Sequence, residues 1–223
     1  MQHLLLILLF SIIWGCDFNS AEDYLNIANG FEKQSRYSEA ISTLDKAYKS
    51  YPKDIRILIG RAHFKSMNND YIESIKDDSL ALLLDPNNIL VLVNRGKCKE
   101  RIQDFDGAIQ DFNSAILKKG GERSYFERVP NSFVETGFEF DVKMEEIKFE
   151  RAICYYYQDS LRRAFDDFNF SIQNNFALSD SYFWRGLIYI RYDMKNEGCM
   201  DLEESKKLGD PDAVEQYDKY CKQ

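Results

Sequence analysis

Few side chains in this sequence could carry chemistry. His63 is the only histidine after the first sixteen residues, so a histidine-based triad has one candidate and a multi-histidine metal site has none. No phosphate-binding glycine loop, nucleophile elbow, zinc-binding helix motif or closely spaced cysteine pair is present. The carboxylate pairs Asp77–Asp78 and Asp166–Asp167 read as one recurring helical position, not as acid–base machinery. Cys98 and Cys154 each follow a small residue by two places, at Gly96 and Ala152, and read as compact core thiols. A periodic charge pattern is more informative. Arg61, Arg95, Arg151 and Arg185 are each followed sixteen residues later by an acid: Asp77, Asp111, Asp167 and Asp201. Where the arginine is missing the acid is missing too, with Ile27 and Thr43 in their places. A half-buried arginine is tolerable mainly when paired, so these are expected to be structural ion pairs; the alternative is independent solvated charges.

The elements that would hold such pairs follow from a 34-residue period. An aromatic recurs at Tyr37, Tyr71 and Phe105, Ile at 41, 75 and 109, and Ala at 47, 81 and 115. A fixed period of this length marks helical hairpins that bury their apolar faces only by stacking on one another. Repeats phase as 21–54, 55–88 and 89–122, with a further pair at 145–178 and 179–212. Small residues stand in each first helix (Ala28, Ala62, Gly96, Ala152, Gly186) and near the end of each second (Ala47, Ala81, Ala115, Ser171, Ser205), where ridges must seat closely in grooves. The pattern resembles tetratricopeptide repeats. The fold class expected is all-α: a helix-turn-helix superhelical solenoid of about five repeats plus a C-terminal capping helix. Repeats one to three occupy 21–118, an aromatic-rich insertion 119–144, repeats four and five 145–210, and the cap 211–223. The helix of repeat four is expected to begin early, near Phe140.

In that family the first helices line a concave face that takes protein partners. Carried over by position, the resemblance places a mixed polar half around Glu32, His63, Lys97, Glu100 and Arg101. The other half is mostly apolar: Phe149, Ile153, Tyr156, Tyr157, Phe183, Leu187 and Ile190, with Arg191. Either a partner peptide or the insertion's own aromatics would cover it. The carboxylate clamp of some cochaperone members is not reproduced, since Leu25, Gly60 and Leu90 stand at three of its positions.

The N-terminus stands apart. Leu4 to Trp14 is apolar except for Ser11, too short to span a bilayer and right for a signal-peptide core. It ends in Ile13-Trp14-Gly15-Cys16, which resembles the lipobox of bacterial lipoproteins. The resemblance implies removal of 1–15, lipidation of Cys16 and a short tether, 16–20, holding the solenoid close to a bacterial envelope membrane. In such an oxidising compartment Cys199 and Cys221 are candidates for a disulfide pinning the capping helix, with two free thiols as the alternative. A net charge of -8 argues against nucleic acid as a partner. The expected function is a non-catalytic protein–protein interaction or assembly module, without metal or cofactor. The alternatives are an envelope enzyme with a site built by the insertion, and a cytoplasmic adaptor with an uncleaved N-terminus.

Overall fold

The computed structural model describes residues 20–120 and 142–222. The signal segment, Cys16 and residues 121–141 of the insertion lie outside the described residues. Eleven α-helices follow in chain order among those described: α1 (Ala21–Glu32), α2 (Tyr37–Ser50), α3 (Ile55–Met67), α4 (Tyr71–Leu84), α5 (Ile89–Arg101), α6 (Phe105–Lys118), α7 (Met144–Tyr157), α8 (Leu161–Gln173), α9 (Leu178–Arg191), α10 (Lys195–Lys207) and α11 (Pro211–Cys221). Each helix packs on the next, and α1, α3, α5 and α7 also touch in sequence as an inner row. Because α6 packs directly on α7, repeats three and four stack although 25 residues, 119–143, separate them. α7 does not begin near Phe140: Val142 and Lys143 precede it outside the helix, Lys143 with extended backbone, and Val142 is buried in the core.

The hairpins close because small and large residues alternate at their contacts. Ala28, Ala47, Ala81, Ala115, Ala152, Ser171 and Ser205 are all fully buried, and Leu44, Phe112, Phe168 and Leu202 fill the space between helices with no exposure. Interdigitation of this kind is what gives helix pairs their packing density. At Gly96 a Cβ would stand 2.7 Å from the Phe112 ring, so the glycine is what admits the ring. In the last repeat two glycines face each other. A Cβ at Gly198 would lie 2.9 Å from the Gly186 carbonyl oxygen, which explains why Gly198 stands where Ala40, Ala108 and Ala164 do in other repeats: α9 and α10 meet backbone to backbone. The turn inside each hairpin carries one left-handed residue, Ser35, Asn69, Gln103, Asp159 and Asp193, at the same place in every repeat. Asn and Asp accept that conformation at little cost.

Both ends are capped. At α1, Asp23 donates its backbone N–H to Ser20 Oγ while its carboxylate accepts the Ser20 N–H at 2.8 Å, closing a capping box. At the other end Gly209, with φ +97°, stops α10; Asp210 accepts the first N–H groups of α11, and Pro211 opens it. α11 buries only Ala213. A disulfide between Cys199 and Cys221 ties it to α10, with Cα atoms 5.7 Å apart. Closing a loop of 22 residues is worth about 3 kcal/mol. With so little apolar burial of its own, α11 is expected to lose amide protection on reduction while α1 to α9 keep theirs, as hydrogen exchange with and without dithiothreitol would show.

Candidate functional site

Four arginines on the first helices bind the solenoid together. Arg61 Nε and Nη2 donate to Asp77 at 2.8 and 2.6 Å, joining α3 to α4. The same fork recurs from Arg95 to Asp111, Arg151 to Asp167 and Arg185 to Asp201, at 2.6–2.9 Å. Each guanidinium also has a second arm. Nη1 donates to a side chain on the preceding repeat's second helix: Asp45, Ser79, Asn113 or Asn169. Every arginine therefore fastens three helices, and the ion pair lies within the repeat while the neutral or exposed partner lies across the seam. Lys65 and Lys99 add a second cation to Asp77 and Asp111. Burial raises the Asp167 carboxyl above the ordinary range even with Arg151 on it. The two carboxylate pairs are not equivalent: Asp77 and Asp167 bind arginines, whereas Asp78 is buried and Asp166 exposed.

An aromatic panel runs across α6, α7 and α9, among residues expected on the inner face. Tyr157, 56% exposed, stacks in parallel on Phe105 at 5.3 Å and stands edge-on to Tyr156 and Trp184. Trp184 meets Tyr156 at 4.9 Å and Phe183 at 5.2 Å. Arg191 pairs with Asp159 and lies 5.7 Å from the Tyr156 ring. Of the residues expected on this face, Tyr157 and Arg191 are exposed and Ile153, Tyr156, Phe183 and Leu187 are part-buried. Two expectations need correction. Phe149 is buried, edge-on to Phe168 and to Phe176, which stands where Pro52 and Pro86 do in repeats one and two and fills the space beside it. Ile190 turns toward α10 and covers Gly198, where the missing side chain leaves room.

The tetratricopeptide repeat family model matches residues 24–54. No curated protein matches the chain in sequence. Among solved structures, MamA residues 41 to the end from Desulfovibrio magneticus RS-1 superposes with TM-score 0.68 at 13% identity, over 84% of this chain and 94% of that one. YrrB, a TPR protein with an unusual peptide-binding site, gives 0.67 at 15% identity, over 90% and 92%. Pseudomonas aeruginosa PilF gives 0.65 at 14%, over 85% and 77%. The fold is that of a tetratricopeptide repeat solenoid. At these identities the likeness is one of fold.

The polar half of the inner face is stitched between neighbouring first helices. Arg56 reaches Glu22 at 3.0 Å, His63 Nε2 meets Glu32 at 2.9 Å, and Lys97 holds Glu146 at 2.7 Å and Glu150 at 3.2 Å. His63 is thus an inter-repeat contact. Burial raises the Glu100 and Glu150 carboxyls, against the attraction of Lys97 and Arg101. Cys98 and Cys154 are buried, and burial pushes both thiols up, away from the reactive thiolate. Among the described residues no cluster of three or more His, Cys, Asp or Glu is placed to hold a metal, and no helix is long and apolar enough to cross a membrane. Sequence reasoning missed Trp184 and Phe105 as panel members. Phe105 opens a second helix, and only the stacking of α6 on α7 brings it beside Tyr157.

Proposed function

We propose that this solenoid is a non-catalytic protein–protein interaction or assembly module, held to a bacterial envelope membrane through a lipid on Cys16. It receives a partner polypeptide on the inner face of repeats three to five. The observation that carries this reading is the Phe105–Tyr157–Tyr156–Trp184 panel: four interlocked rings with Tyr157 open to solvent. Aromatic rings fixed by one another lose little freedom on binding, and such anchors dominate protein interfaces. A peptide-binding site on a relative in fold, YrrB, supports the same use of the architecture.

The test is binding by the full chain. A photo-crosslinker placed at Tyr157 should trap a discrete partner, and one placed at Leu83, exposed on α4, should not. With the partner in hand, Tyr157→Ala should weaken binding roughly thirtyfold, about 2 kcal/mol, at unchanged thermal stability. Equal affinity of the variant would remove the panel from the interface. For the anchor, palmitate incorporation into wild type and its loss in Cys16→Ala is the expected result; equal labelling of both would refute it.

A further inference from the structure

The seam between repeats two and three contains a group that the interaction module does not use. Positions 44, 78, 112, 168 and 202 are the same place in successive second helices. Four of them, Leu44, Phe112, Phe168 and Leu202, are large apolar residues with no exposure, and Asp78 is as buried as they are. Neither carboxyl oxygen of Asp78 has a hydrogen-bond partner. Its polar neighbours are already engaged. Ser74, one turn earlier on α4, donates to the Ala62 carbonyl at 2.8 Å and lies 3.4 Å from Cys98 Sγ of α5. Arg95 of α5 forks onto Asp111 of α6 and donates its third nitrogen to Ser79. Arg61 and Lys65 of α3 both bind Asp77. Cys98 stays a neutral thiol because burial pushes it up. An ionised carboxylate without a partner is not sustained in such a place; the group takes up a proton instead. Burial, opposed by Arg95 and reinforced by Asp77 and Asp111, accordingly holds the Asp78 carboxyl well above its ordinary range.

We propose that Asp78 makes the seam between repeats two and three a pH-set joint: its neutral carboxyl is tolerated in the core, and its ionisation loosens the first two hairpins, α1 to α4, from the rest. The inner helices α3 and α5 touch across this seam, so its loosening alters the curve of the inner face. The direction follows from linkage. An unfolded Asp titrates near about pH 4. With the folded value higher, the seam's stability is whole below that pH and falls as pH rises toward the folded value, by about tenfold in the unfolding constant per pH unit. Above the folded value it falls no further. In a repeat array stability is a sum of repeat and nearest-neighbour terms, so the change is local.

The experiment compares full-length wild type with Asp78→Asn and Asp78→Leu by urea unfolding and hydrogen exchange at a series of pH values upward from about 4. Asn removes the titration at constant shape, and Leu restores the residue found at position 44. The unfolding constant of wild type relative to each variant should climb about tenfold per pH unit from the bottom of the series. At neutral pH Asp78→Leu should slow exchange in α1 to α4 more than in α7 to α11. A ratio that does not change with pH, or slowing spread evenly over all eleven helices, would overturn the proposal.

Discussion

Asp77→Ala is expected to destabilise the fold by about 3–5 kcal/mol, read as a lower urea midpoint at unchanged slope. Asp77 is 4% exposed at its side chain and accepts from Arg61 Nε, Arg61 Nη2 and Lys65 Nζ within 2.8 Å. Removing it leaves two cations facing each other in a dry seam. Arg61 keeps Asp45, but that acid is half-exposed and solvent-screened, and exposed pairs are worth little. The magnitude therefore comes from desolvated charge left behind, not from the pair's own net worth. Replacing both partners with apolar residues separates the two quantities. At Arg185 and Asp201, where Tyr189 stands in the place that Lys65 and Lys99 take in repeats two and three, Arg185→Met with Asp201→Leu should change stability by only about 1 kcal/mol, while Asp201→Ala alone should cost several times more. If Asp77→Ala lost less than about 1 kcal/mol, water would be reaching the guanidinium and the staple would be an ordinary surface pair.

How far the sequence revealed this arrangement depends on whether a role is repeated in kind. Ala47, Ala81 and Ala115 recur because each occupies an identical contact with no room for more, so the hairpins and their order could be read directly. The Arg–Asp pairs were legible because both partners appear or vanish together. Their second arms were not, since Asp45, Ser79, Asn113 and Asn169 share only the ability to accept a hydrogen bond. Asp78 was concealed by its neighbour: the doublet with Asp77 looks like the doublet Asp166–Asp167, but the arginine ligand is the first residue in one and the second in the other. A shift by one place on a helix moves a side chain by about 100°. Asp166 and Asp78 therefore stand two places apart in the repeat, the exposed one just before the arginine's acid and the buried one just after it. For the inner face, position alone gave no depth: Phe149 is buried and meets Phe176 edge-on.

Phe168→Ala should be the most damaging single truncation in the C-terminal half, at about 3–5 kcal/mol. The ring is fully buried, edge-on to Phe149 at 5.8 Å and parallel to Trp184 at 6.5 Å. It joins α8 to both α7 and α9, so its loss opens a void where three helices meet, and rigid helices collapse into such a void only in part. Trp184 loses its support at the same time, and through Trp184 so do Tyr156 and Tyr157. Stability and partner binding should therefore fall together in this variant, whereas Tyr157→Ala should lower binding alone. Phe168→Leu, which matches Leu44 and Leu202 in the equivalent places, should recover most of the stability. Because a leucine offers Trp184 no ring to lie against, tryptophan fluorescence should still differ from wild type after folding is restored. A Phe168→Leu protein with wild-type fluorescence and wild-type affinity would mean that the panel is held by α9 and not by the core beneath it.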